Sequence, residues 1–398
     1  MTRPTRRLVL AASAALTWPA HAQESAWQRV ERAARGQSVR FNAWAGSERI
    51  NAYLQWAAGE LERRHGVRLE HVKVTDTAEV VRRIRAEKAA ARADGSADLV
   101  WINGENFLTL KREGLLFGPF AESLPNFRLV DTQGKPTTRV DFSEPVDGME
   151  AAWGMAQLTF YADTARVAQP PATLAALLEW ARRNPGRFSY PRPPDFHGTT
   201  FVKQVLVDLA PERAPLYRPY TEAAFVSASA PLWAWLDQLH PQLWRGGRQF
   251  PANNTLMRQM LADGELNISL TFNPNEAANE IAAKTLPATV TSFQFNGGTL
   301  GNTHFVAIPF NARSKEASQV VANFLQSPAA QARKADIRHW GDPTVLATGR
   351  LGAAERALFS AAATAPGVVQ HPAPAIAEPH ASWVDPLERE WLRRYGAS

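Results

Sequence analysis

Apolar and polar positions alternate over 38–44, SVRFNAW, with Val39 and Phe41 on one face and Arg40 and Asn42 on the other. That period of two predicts a strand. The period then lengthens. Ile50, Tyr53, Leu54, Ala57 and Leu61 recur at helical spacing over 48–64, behind Ser47 as a cap and ahead of Gly66 as a stop. RLEHVKV (68–74) reads as a second strand, and Thr75 or Asp76 opens a second helix with Val80, Val81 and Ile84 on its buried side. ADLVWI (97–102) is mostly apolar, as a strand covered on both faces should be. The order βαβαβ predicts an α/β protein with a mostly parallel sheet and right-handed crossovers.

Beyond residue 113 the pattern loosens. Residues 114–148 are rich in Gly, Pro and Asp and read as surface chain, and EAAWGMAQLTFYAD (150–163) restores a strand. Residues 173–209 read as helix, short strand, loop and helix, and 248–272 as loop, helix and strand. THFVAIPFNA (303–312) is a strand, helices follow Ser314 and Ser327-Pro328, and Asp385-Pro386 caps a final helix. No internal repeat or low-complexity block is present.

One stretch, ISLTFNPNEAANEI (268–281), runs from an apolar strand directly into a helix. Asn273 is the expected N-cap, Pro274 the first helical residue, and Glu276 the partner that closes a capping box. Good capping alone accounts for these residues. Their place suggests more, because ligands of open α/β sheets sit beyond the carboxyl ends of strands. AWAGS (43–47), INGENF (102–107) and PDFHGTT (194–200) offer similar polar, Gly-containing sequence at strand or loop ends.

Composition narrows the compartment and the chemistry. Residues 1–22 carry Arg3, Arg6 and Arg7, an apolar run from Leu8 to Leu16, and Ala20-His21-Ala22 as a small-x-small end. This is the pattern of a cleavable signal peptide, exported by the Sec route or, given Arg6-Arg7, the twin-arginine route. No later stretch has the roughly 20 continuous apolar residues of a spanning helix. The formal charge of +6 falls to +3 without the three leader arginines, and the basic residues are scattered among acids. Nucleic acid is therefore not an expected partner. The chain has no cysteine, which excludes a disulfide, a thiol nucleophile and a thiolate-bound metal. Its nine histidines show no metal-ligand spacing, and no cofactor is expected. GxSxG, HExxH, Walker A and GxGxxG motifs are absent.

NAWAGS, VWINGENF, WGMAQLTFYAD, PDFHGTTF, TFNPNEA, GTLGNTHFVAIP and WGDPTVL together resemble the extracellular solute-binding proteins of ABC importers, and within them the YnjB-like family. The resemblance covers essentially the whole chain after the leader. It implies a two-lobed type II periplasmic-binding-protein fold, each lobe a mostly parallel sheet flanked by helices, with two crossover strands as hinge. Lobe I is expected over 23–152 plus 303–398 and lobe II over 153–302. The implied function is a periplasmic, monomeric, non-enzymatic carrier that closes on a small ligand and delivers it to an inner-membrane ABC permease. Two alternatives stay open: a secreted hydrolase with a carboxylate pair in its cleft, and a binding protein that presents its ligand to a sensor.

On this reading the ligand-binding candidates cluster at strand ends and crossovers. Trp44, Gly46 and Ser47 close the first strand, and Asn103, Glu105 and Asn106 the third. Trp153 and Gln157 flank the first crossover. Asp195, His197 and Thr199 precede a helix of the second lobe, Asn273, Asn275 and Glu276 form the opposing helix start, and Asn302 lies at the return crossover. Tryptophan faces with Glu105, Asp195 and Glu276 nearby suit a flat organic cation, thiamine-like or polyamine-like, through stacking and cation–π attraction. Bare helix N-termini argue instead for an anion. No catalytic residue and no metal ligand is assigned.

Overall fold

The computed structural model describes residues 24–359 and 365–396, so the expected signal peptide lies outside the described residues. The N-terminal pattern folds as read. Strands Ser38–Trp44, Arg68–Val74 and Leu99–Ile102 pair in parallel, with Ser38–Trp44 in the middle. Val39, Phe41 and Ala43 are fully buried on its inward side. Helix Glu48–His65 buries Ile50, Tyr53, Leu54, Ala57 and Leu61 and stops at Gly66, whose φ of 65° is left-handed. Glycine adopts that conformation without a Cβ clash. Asp76 caps the next helix, accepting from the Ala78 amide at 2.8 Å. Ser47, by contrast, makes no side-chain cap bond.

Strands Glu150–Gln157 and Thr299–Pro309 run antiparallel side by side, from the pair Ala307/Glu150 to the pair Gly301/Gln157. The register shifts between His304 and Phe305. Both strands pass between two apolar cores. Ala151 and Trp153 on the first strand, and Val306 and Ile308 on the second, belong to the core around Phe41 and Tyr53. Ala156 and Leu300, at the other ends, belong to a second core around Phe160, Phe201 and Trp391. The ladder thus joins two lobes.

In the second lobe, Thr159–Asp163 lies between Ile268–Thr271 and Val290–Phe293, and both pairings are antiparallel. Parallel pairing is thus found in the large sheet, over 38–102 and between Thr299–Gly301 and Ala375–Ala377, whereas the sheet of the second lobe is antiparallel. The reason is connectivity: Thr159–Asp163 continues outward from the first crossing strand, whereas its two neighbours run back toward the ladder. The Gln157 amide meets the Phe272 carbonyl at 3.1 Å, and the Leu158 amide meets the Leu300 carbonyl at 2.8 Å.

The chain end departs from expectation. The resemblance places residues 303–398 in the first lobe, but Trp383, Leu387 and Trp391 are buried in the second core. Helix Val384–Tyr395 presents the last two there, with Trp383 just ahead of it, and the Trp391 indole donates to the Tyr190 hydroxyl at 2.8 Å. That helix begins at Val384, so Asp385 lies in its first turn rather than at its cap. Among the described residues, no helix is long and apolar enough to cross a membrane.

Candidate functional site

The lobes touch along two lines. The first joins the end of strand Ser38–Trp44 to the 273–282 segment. The Trp44 ring folds over Gly46, where an added Cβ would lie 2.2 Å from a ring carbon. The Gly46 carbonyl accepts from Thr255 Oγ1 of the second lobe at 3.5 Å, and Ser47 keeps its hydroxyl uncommitted to its helix. Arg49 donates to the Asn279 carbonyl at 2.5 Å. Asn273 donates from Nδ2 to the Trp340 carbonyl at 3.1 Å, and Asn275 to the Gly341 carbonyl at 2.6 Å. Asn279 also donates to the Trp340 carbonyl.

This use of the asparagines changes the predicted helix start. The helix spans Glu276–Ala282 behind Asn275, which makes no side-chain cap bond. Asn273 Oδ1 instead accepts from the Asn275 amide at 3.0 Å, an Asx turn, so Pro274 precedes the helix. Glu276 does not close a capping box. It accepts from Thr271 Oγ1, from Asn254 Nδ2 at 3.4 Å and from Arg258 at 3.2 Å.

The second line is acidic. Helix Gly104–Arg112 starts after Asn103, with Gly104 at φ 62° and its amide bound to Asp141 Oδ2 at 2.6 Å. Glu105 is half-buried in its first turn, and Asn106 donates to it at 3.0 Å. Across from it, Asp195 caps helix Phe196–Leu209, accepting from the His197 amide at 2.9 Å and the Gly198 amide at 3.2 Å. One turn along, the Thr199 hydroxyl donates a hydrogen bond to Glu388 of the last helix at 2.7 Å. Lys203, buried below, pairs with Glu378 at 2.8 Å and sits 4.0 Å from the centre of the Phe142 ring.

Burial pushes the Glu105 carboxyl up to about 7. It pushes Glu388 up to about 8, with Glu105 and Asp385 adding like-charge repulsion. Lys203, committed to Glu378, eases both carboxyls only in part, and among the described residues neither Glu105 nor Glu388 forms a salt bridge. A cavity of about 380 Å³ opens beside Glu105, with Asp385 as a second acid and Arg112 and Arg389 as basic members of its wall.

Other predicted residues serve the frame. Trp153 is fully buried, and its ring is covered by the protein's own ammonium. Lys334 Nζ lies 4.2 Å from the Trp153 ring and 4.3 Å from the Trp340 ring, and donates to the Trp153 carbonyl at 3.0 Å. Asp342 pairs with Lys334 and meets His304 Nε2 at 3.1 Å. Burial lowers Lys334 to about 8 despite that pairing. The cation–π site expected at Trp153 is therefore internally filled. Gln157 donates to Thr299 Oγ1 at 3.1 Å, and Asn302 to Glu378 Oε1 at 3.3 Å, so both brace the crossover. Sequence reasoning missed Glu378 and Glu388, because only the folded chain end brings 378–388 to this cleft. Among the described residues, no cluster of three or more His, Cys, Asp or Glu could hold a metal ion.

Comparison with known proteins agrees with this architecture. Residues 56–362 match the family model described as bacterial extracellular solute-binding protein. The chain is 50% identical to Protein YnjB of Escherichia coli K12 over 373 residues, 94% of each chain. Among solved structures it resembles the periplasmic binding protein AfuA of Actinobacillus pleuropneumoniae, solved with exogenous fructose-6-phosphate bound, at TM-score 0.64 and 15% identity, covering 91% of this chain and 99% of that one. It also resembles the Tp0655 (TpPotD) lipoprotein of Treponema pallidum at TM-score 0.63 and 13% identity, covering 90% and 99%. At such identities these two structures speak for the fold alone.

Proposed function

Because the chain belongs to the bacterial extracellular solute-binding proteins, a family of binders rather than enzymes, we propose that it closes its two lobes on a small organic cation. It works in the periplasm as a monomer and hands the cation to the permease of an ABC importer. The observation that carries this reading is the acidic line between the lobes. Glu105 comes from the first lobe, Thr199 and Glu388 pack on the second, and among the described residues neither carboxylate forms a salt bridge, the nearby Lys203 being paired with Glu378. A ligand that bridges them is gripped on both sides only in the closed form, so binding shifts the population toward closure. Asn103 and Asn106 beside Glu105, and Phe196 and His197 near Thr199, add polar and aromatic edges. Trp44, Gly46 and Ser47 lie on the other line of contact between the lobes. A thiamine-like heteroaromatic cation or a polyamine fits this chemistry.

An anionic ligand is the second reading. It is favoured by a cavity of about 240 Å³ lined by Arg49, Arg333, Arg338 and His339, with Glu48 its acidic member. A thermal-shift screen over thiamine, spermidine, phosphate and sulfate separates the two. A cation at 100 times its dissociation constant should stabilise the fold by about 2.7 kcal/mol, and Glu105→Gln or Glu388→Gln should remove most of that gain. Stabilisation by an oxyanion alone would favour the second reading.

A further inference from the structure

Below the cleft lies a pair of acids that the binding site does not use. Glu150 opens the first crossing strand and Asp141 ends the short strand Val140–Asp141 before it; each is 1% exposed. Both Glu150 carboxylate oxygens and Asp141 Oδ1 lack a hydrogen-bond partner. Buried polar atoms are rarely left so. The charged groups around them are accounted for. Asp141 faces Glu105, Glu378 and Lys203 as well as the Gly104 amide, and Glu150 faces Asp141 and Lys111. Lys203 is paired with Glu378. Lys111 is spent on Glu144 at 2.8 Å, Asp147 at 2.7 Å and the Pro145 carbonyl at 2.5 Å. Two anions facing each other in a dry site cannot both persist.

We propose that Asp141 and Glu150 share one bound proton and, as an acid pair, position the turn that carries Glu105 into the cleft. The proton turns one orphaned oxygen into a donor to the other carboxylate, and nothing else is transferred. The pair also reaches the site. Asp141 Oδ2 holds the Gly104 amide at 2.6 Å, and the Phe142 ring fills the space where a Cβ on Gly104 would sit, 2.8 Å away. Glu150 belongs to the ladder that joins the lobes, so one proton ties the crossing strand to the start of helix Gly104–Arg112. In keeping with this, burial raises both carboxyls well above the usual range, and Asp141 adds to the rise at Glu150. Asp141 and Glu150 are positioning residues on this account, and the proposal does not depend on which ligand is bound.

The test is the melting temperature of the whole mature chain against pH for wild type, Glu150→Gln and Asp141→Asn, with infrared spectra of the same samples. In the window above the ordinary carboxyl pKa, the unfolded chain has lost the proton that the folded chain keeps, so stability falls as pH rises. Wild type should lose about 3 °C more than Glu150→Gln between pH 6 and pH 8, the effect of one proton in a chain of this size. Glu105 and Glu388 titrate in both proteins and cancel in the difference. The side-chain amide introduced by Glu150→Gln can still donate to Asp141, so that variant should melt near wild type at pH 6. Wild type should also show, at pH 8, a carbonyl-stretch band of an un-ionised buried carboxyl that Glu150→Gln lacks. Equal pH slopes in wild type and both variants would overturn the proposal. So would stabilisation of wild type, but not Glu150→Gln, by calcium or magnesium at neutral pH, since a metal and not a proton would then fill the gap. If Glu150→Gln does not fold, Asp141→Asn and the wild-type infrared band still decide.

Discussion

If Glu105 and Glu388 hold the proposed cation, its affinity depends on pH, and the size of the effect follows from their environments. With carboxyls raised to about 7 and about 8, both are ionised at pH 6 in only about one molecule in a thousand. At pH 8 about nine-tenths of Glu105 and half of Glu388 are ionised. A cation that needs both charges should therefore bind roughly 500-fold more tightly at pH 8 than at pH 6, about 3.7 kcal/mol. Glu388→Gln leaves only Glu105 to titrate, and the same interval should then change affinity about tenfold. Isothermal titration with a permanently charged probe, a thiazolium or quaternary ammonium that the thermal screen selects, keeps the ligand's own charge constant. Running it in buffers of different ionisation enthalpy counts the protons released on binding, which should exceed one near pH 6. A wild-type affinity that is flat between pH 6 and pH 8, or a slope that Glu388→Gln leaves unchanged, would refute the assignment of these carboxyls to the site.

Two stability predictions follow from the packing. Gly154→Ala should destabilise strongly, because its Cβ would lie 1.7 Å from Lys334 Nζ and 2.3 Å from Asp342 Oδ2, inside a buried ion pair that has no room to shift; a melting temperature within 1 °C of wild type, on the order of experimental error, would show that the pair moves freely. Trp391→Ala should cost about 3–5 kcal/mol through the cavity it leaves in the second core, read as a shift of the urea midpoint; a loss under about 1 kcal/mol would mean the last helix is not part of that core.

The sequence exposes the first lobe more fully than the second. Period-two and period-3.6 patterning over 38–102 specifies strands and helices whose partners lie close in the chain, so local signals suffice there. The second lobe depends on connectivity. Nothing in ISLTF or VTSF tells whether its neighbour runs parallel, because a short strand buried on both faces looks the same either way. The last helix is amphipathic on its face, yet amphipathicity identifies what is buried and not against which core. At the cleft, loops at strand ends are legible as polar, and Glu105 and Thr199 stand out on that ground. Their partner Glu388 does not, since its approach depends on where residues 375–396 return. Asn273 and Asn275 have good capping chemistry, but contacts between the lobes claim their side chains, a tertiary choice that overrides the local one. Trp153 carries the same lesson: a tryptophan beside a crossover has an aromatic face to offer, and here Lys334 already occupies it.

We propose that two hinged lobes clasp an organic cation between Glu105 and Glu388. A crystal structure of the protein grown with the best cation from the thermal screen tests it most directly. The positive group should lie within about 3.2 Å, hydrogen-bonding distance, of a carboxylate from each lobe, with the Thr199 hydroxyl close by. A cation bound on an outer face, or a cleft holding an anion against Arg49 and Arg333, would contradict it.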